Sequence, residues 1–254
     1  MDPLFQPPAV TLFDAVTSTI AAVSYLAVGL AAIARAPRDE RARVFLAVAL
    51  TSAVAYAGPG LQYWKGIPII SRPVVVPTLV ATAIGGVALF HFAFVFPWRR
   101  PWLRRHREWV MAAYLVAPMG VLWLAWLAPP SLDALEVPYM LALLAVGVPL
   151  MALAGVVMPL AGLLVLYKTC LRVRDLKIEA ARVSTLGVFV SQLAGGILAV
   201  LVAPLVHIIV PSGPWAPILA GAMFGFGILM PLAFAAGVWK YGVLTLDVES
   251  LPGQ

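Results

Sequence analysis

The stretch HFAFVFPWRRPWLRRHREW, residues 91–109, holds an apolar run that ends at Phe96-Pro97, five arginines within the next ten residues, and the start of a second apolar run. Such a cluster fits a catalytic basic site, a nucleic-acid patch or the charged turn between two membrane spans. The remainder of the chain decides for the last. Of 254 residues, 63% are hydrophobic and only 11% charged, with a mean hydropathy of +0.98. A soluble domain carries about 25% charged residues, and this much apolar surface exceeds what one soluble core hides. The class indicated is an all-α, polytopic membrane protein, a single domain over 1–254. The net charge of +6 matters through its placement, and no nucleic-acid partner is indicated.

A hydrocarbon layer of about 30 Å takes roughly 20 residues of helix. Runs of that length predict seven spans at 11–34, 44–63, 73–97, 109–128, 138–167, 184–210 and 216–239. The second is the weakest, since Gly58, Pro59 and Gly60 interrupt it; the fifth is over-long and holds Pro149 and Pro159, which predict a kink or tilt. MDPLFQPPAV lacks a basic region and a small-residue cleavage pattern, so the first span is read as a retained helix.

Charge orients these spans. Arg35, Arg38, Arg41 and Arg43 follow span one; Arg99, Arg100, Arg104, Arg105 and Arg107 follow span three; Lys168, Arg172, Arg174, Lys177 and Arg182 follow span five. With Lys240 they make fifteen of the seventeen basic residues, and Lys65 and Arg72 alone fall on the opposite side. The positive-inside rule then predicts a seven-transmembrane-helix bundle with the N-terminus out and the C-terminus in the cytoplasm. Trp98, Trp102 and Trp109 suit an interfacial aromatic belt, and the arginines suit anionic headgroups. The single Cys170 rules out an intrachain disulfide.

Polar groups at bilayer depth are the candidates for function. Asp14, one turn into span one, is expected to reach headgroup water. His91, near the cytoplasmic end of span three, reads as the most buried titratable group, either a neutral imidazole bonded to a neighbouring helix or a proton or ligand sensor. His207 lies in the opposite leaflet and His106 in a loop, so no metal site is predicted. Gln192, with Ser184 and Ser191 near it, is a ligand contact or interhelical glue. YAGPGLQYWKGIPIISRP, residues 56–73, offers Tyr56, Gln62, Tyr63 and Trp64 for an outer binding mouth, and an ordinary interfacial loop has the same composition. Gly221 and Gly225 form GxxxG and Gly195-Gly196 interrupt span six, for packing within the bundle or a homodimer.

Enzyme signatures such as GxSxG, HExxH and a phosphate-binding glycine loop do not occur, and neither catalytic residues nor a cofactor are predicted. A bare midplane disfavours a small-molecule carrier. A retinal protein needs its lysine in mid-span, whereas Lys240 lies at the edge of span seven.

Three stretches share one resemblance. HFAFVFPWRRPWLRR resembles the H-F-x-x-x-F-P-basic signature at the end of the third span in the seven-helix input regions of bacterial sensor histidine kinases and related signalling proteins. LRVRDLKIEAARVSTLGVFVSQLAGGI resembles the basic lead into their sixth span, with Leu186-Gly187, and WKYGVLTLDVES resembles their exit, with Tyr241, Leu244, Leu246, Asp247 and Val248 matching; Pro231 in span seven fits as well. The resemblance implies a multi-pass sensor of the bacterial inner membrane that takes a small ligand or membrane-borne signal and moves helices to inform a cytoplasmic output protein. It makes His91, Pro97 and Tyr241 candidates for the relay. In such proteins an output domain follows, whereas this chain ends at Gln254, which implies an input module or a relative whose output is a separate partner. The alternative is an integral membrane scaffold that binds a protein partner through its basic loops.

Overall fold

The computed structural model describes residues 12–67, 72–98, 100–127, 143–175, 179–194 and 227–245. Among these the chain is helical, without a strand. Helices α1 (Leu12–Arg35), α2 (Glu40–Lys65), α3 (Arg72–Val95), the short α4 (Pro101–Arg105) and α5 (Arg107–Leu127) are followed by a composite span. In that span π-helical turns Leu143–Gly147 and Leu153–Val157 alternate with α6 (Val148–Ala152) and α7 (Met158–Asp175). Helices α8 (Glu179–Gln192) and α9 (Leu229–Trp239) come next, then a 3-10 turn, Val243–Thr245.

Five of these helical stretches are long and apolar enough to cross a membrane: Leu12–Arg35, Glu40–Lys65, Pro73–Val95, Arg107–Leu127 and Leu144–Arg174. Their outward faces carry large apolar side chains, with Leu115 and Met119 67% and 64% exposed. That is the surface of a multi-pass membrane protein. Of the predicted sixth and seventh spans, only α8 and α9 are described, and His207, Gly195-Gly196, Gly221 and Gly225 lie outside the described residues.

Two boundaries differ from the sequence reading for identifiable reasons. Helix α2 starts at Glu40 rather than 44 because Asp39 caps it, its Oδ1 accepting from the Arg41 backbone N–H at 2.8 Å. It then runs unbroken through Gly58-Pro59-Gly60, all buried. The composite span continues past 167 to Asp175, so Lys168, Arg172 and Arg174 belong to a helix. A proline lacks its N–H and crowds the carbonyl four residues earlier. For Pro149 and Pro159 those carbonyls are Ala145 and Gly155, and each lies in one of the two π-helical turns. The wider turn accommodates the ring.

In a bilayer the association of helices depends on close fit rather than on apolar burial. Helix α3 packs against α2, α5, the second π-helical turn and α7; α8 pairs with both α7 and α9, and α9 returns to α1. Small residues sit at the crossings. A Cβ at Gly29 would lie 2.6 Å from that of Ala49, and one at Gly86 would overlap the carbonyl oxygen of Ala154 in the second π-helical turn. Near the arginine-rich end four rings close the core: Phe45 stacks on Phe234 at 3.7 Å, Phe92 on Phe96 at 4.9 Å, and Phe92 meets Phe234 edge-on at 5.6 Å.

Candidate functional site at the arginine-rich end

The periodicity of α2 brings an arginine indoors. Arg41, Phe45 and Val48 stand at i, i+4 and i+7, one face of a helix, and all three are buried, Arg41 with 8% exposure. A buried guanidinium is tolerated only when paired and fully hydrogen-bonded. Here it is. Nε donates to both Asp39 oxygens at 3.1 and 3.2 Å, and Nη2 donates to Oδ2 at 2.7 Å. Nη1 donates to the carbonyls of Pro97 at 2.8 Å and Val243 at 2.7 Å, and Nη2 also donates to Leu244 O at 2.9 Å. One side chain therefore fastens the start of α2, the turn after α3 and the segment that leaves α9.

The geometry of that exit depends on Gly242. Its φ of +62° turns the chain after α9, and Thr245 then donates to Gly242 O from its N–H at 2.9 Å and its hydroxyl at 2.7 Å. The turn buries Val243 completely and aims two carbonyls at Arg41. Gly242→Ala should cost about 1–2 kcal/mol, the ordinary penalty of a left-handed residue. Faster amide exchange confined to residues 243–245 is the readout; unchanged exchange would mean that Gly242 does not shape this turn.

The turn after α3 is held from its other side by Arg100. Its backbone N–H donates to Phe94 O at 2.9 Å, and its Nη2 reaches Val165 O at 3.2 Å and the Thr169 hydroxyl. Partial burial, and then the nearby Arg172 guanidinium, lower the Arg100 pKa from the usual arginine value. Phe90 and Phe94 pack on Trp102, which stacks on His106 at 4.5 Å. The run FHFAFVFP, residues 90–97, is thus divided by helical spacing: Phe92 and Phe96 face the four-ring core, while Phe90 and Phe94 pack on Trp102 of α4.

His91 lies close by, its Nδ1 3.4 Å from the Tyr114 hydroxyl of α5 and its Nε2 3.8 Å from Glu40 Oε1 in the first turn of α2. The expected bond to a neighbouring helix is present. The expectation that His91 is the most buried titratable group is corrected, since its side chain is 14% exposed against 10% for that of Arg41. Asp14 also departs from expectation. It is buried on the inner face of α1 beside Ala15 and Ser18 rather than turned to headgroup water.

The ligand candidates of α2 do not share one face. Tyr56 faces inward and stacks on Tyr25 at 5.9 Å, with Ser52 hydrogen-bonded to the Tyr25 side chain. Tyr63 and Trp64 form an edge-on pair at 4.8 Å and face outward, 43% and 56% exposed. Gln62 is half-buried, and its carbonyl closes α2 by accepting from Gly66 N–H at 3.0 Å. About 12 Å of helix separates Tyr56 from Trp64 at 1.5 Å per residue, and His91 and Gln192 lie on other helices. Of the relay candidates, Pro97 supplies a carbonyl to Arg41. Tyr241 does not: its ring sits 5.4 Å from Lys240 Nζ, and Val243 and Leu244 take the place expected of it. Arg41 itself, read in the sequence only as a topology charge, carried a usable signal, an arginine in register with a buried apolar stripe and two residues after an acidic helix cap.

No group of three His, Cys, Asp or Glu side chains able to hold a metal occurs among the described residues. No family model, curated protein or solved structure matches the chain.

Proposed function

We propose that the protein is a seven-span sensory module of the bacterial inner membrane, N-terminus out and C-terminus in, that responds to an extracytoplasmic or membrane-borne signal and informs a cytoplasmic partner by helix movement. The observation that carries this reading is the Arg41 fastening. It ties the exit of α9 to the ends of two other helices through one guanidinium, so a small shift of α2 or α3 changes whether that exit is held. A signal biases such an element only by its differential affinity for the held and released arrangements. The resemblance of HFAFVFP and WKYGVLTLDV to sensor input regions supports the same reading, because both stretches meet at Arg41.

The test is native mass spectrometry of protein taken from its own membrane, followed by amide exchange with and without the co-purifying molecule. A bound small molecule whose removal changes exchange at 243–245 supports the sensor. Exchange that never changes, together with a persistent foreign protein subunit, would favour a membrane scaffold. Orientation is tested separately in a Cys170→Ala background. Lys65→Cys should react with an impermeant maleimide in intact cells, and Arg105→Cys only after permeabilisation; the reverse pattern would invert the topology.

A further inference from the structure

Hydroxyl groups in apolar helices ordinarily donate back to a carbonyl three or four residues earlier. Thr17, Ser18, Thr19, Thr51, Thr82, Thr169 and Ser191 all do so. Ser184 and Thr185 in α8 do not. They are 2% and 0% exposed, yet neither hydroxyl has a hydrogen-bond partner among the described residues. One more atom on this helix shares that state. Gln192 is 6% exposed, and although its Nε2 reaches Pro159 O at 3.4 Å, its Oε1 has no partner.

These residues form two lines along α8. Ser184 and Ser191 are two turns apart, as are Thr185 and Gln192, so four polar side chains make a continuous polar face. Both of its sides are covered. The Gln192 contact to Pro159 turns one line to α7, and the other turns to α9, where Ser184 Oγ lies 3.0 Å from the point a Gly237 side chain would begin. Gly187 and Ala233 meet within the same crossing, and this antiparallel register sets Ser191 level with Met230. A buried polar atom without a partner is costly in any protein and more so at membrane depth. Three on one face of one helix indicate a guest.

We infer that the α8 polar face, flanked by α7 and α9, binds an uncharged guest bearing O–H or N–H donors. Gln192 Oε1 accepts from it, and the Ser184 and Thr185 hydroxyls either donate or accept. No charged side chain stands on this face, so the guest is neutral. Solvent water and a small diffusible polar molecule both have this chemistry. The inference does not depend on the sensor reading, because it rests on the packing of α8 against α7 and α9 and uses nothing of the Arg41 fastening.

The experiment uses the full chain in nanodiscs. Hydroxyl-radical footprinting in oxygen-18 water should oxidise Met230, only 4% exposed, while Phe45, fully buried among the four rings, stays unlabelled. That result identifies the guest as water. An unlabelled Met230 together with a small-molecule adduct in native mass spectrometry identifies a diffusible ligand. In either case Thr185→Val and Gln192→Leu should lower the melting temperature, because each removes a satisfied partner. The absence of both label and adduct, or a rise in melting temperature in both variants, would show a dry face and overturn the inference.

Discussion

Arg41→Met should destabilise the protein by roughly 3–5 kcal/mol, the cost of removing one member of a buried, hydrogen-bonded ion pair. Methionine fills the volume but donates nothing. Asp39, with 17% side-chain exposure, loses its counter-ion, and the carbonyls of Pro97, Val243 and Leu244 lose their donors. Arg41→Lys separates charge from geometry. The ammonium still neutralises Asp39, but a point charge does not reproduce the planar fork that meets a carboxylate and three carbonyls together. A loss of about 1.5–3 kcal/mol is expected for the charged hydrogen bonds left unmade. Reversible unfolding in mixed detergent reports stability, and amide exchange at 243–245 reports release of the exit. If Arg41→Lys matched the native protein in both, the fastening would be electrostatic alone and the carbonyl contacts incidental.

Gly86→Leu should also be damaging, through a different cause. Any Cβ at this position overlaps the Ala154 carbonyl oxygen. The obstacle is backbone in a helix, which cannot swing aside as a side-chain end does. Overpacking of this kind costs about 1–3 kcal/mol, and here α3 and the composite span must separate along their crossing. Gly155→Ala is the matched control, since a Cβ there meets only Thr82 Cγ2 at 3.8 Å, ordinary contact. A fall in unfolding midpoint for Gly86→Leu with none for Gly155→Ala supports the crossing as drawn. Equal effects would mean that the close approach at Gly86 does not decide this crossing.

Helix existence was legible in the sequence because hydropathy over a bilayer-length window is insensitive to detail. The runs at 11–34, 73–97 and 109–128 reappear within two residues at either end of α1, α3 and α5. Ends governed by a single side chain were less so. Asp39 moved the start of α2 by four residues, and Pro97 fell outside α3 because the chain turns after Val95. The candidate site was legible only in part. Chemistry and resemblance single out His91 and Pro97, whereas the charge rule by itself assigns Arg41 and Arg100 to topology. A basic residue near a span end has two destinations, headgroup or protein, and composition does not separate them. The helical register with Phe45 and Val48 does. The scatter of Tyr56, Tyr63 and Trp64 has the same origin: neighbours in sequence on a helix diverge in direction.

The Arg41 fastening also dates its own assembly. Arg41 and the Val243 carbonyl are 202 positions apart, so in synthesis α2 enters the bilayer long before the residues that complete its hydrogen bonds exist. Until then Arg41 holds only Asp39, its near neighbour, and the turn after Pro97. Closure of the exit is therefore a late event in biogenesis, and a nascent chain halted within α9 carries all five of the long spans found among the described residues while its α2 arginine still lacks the exit carbonyls.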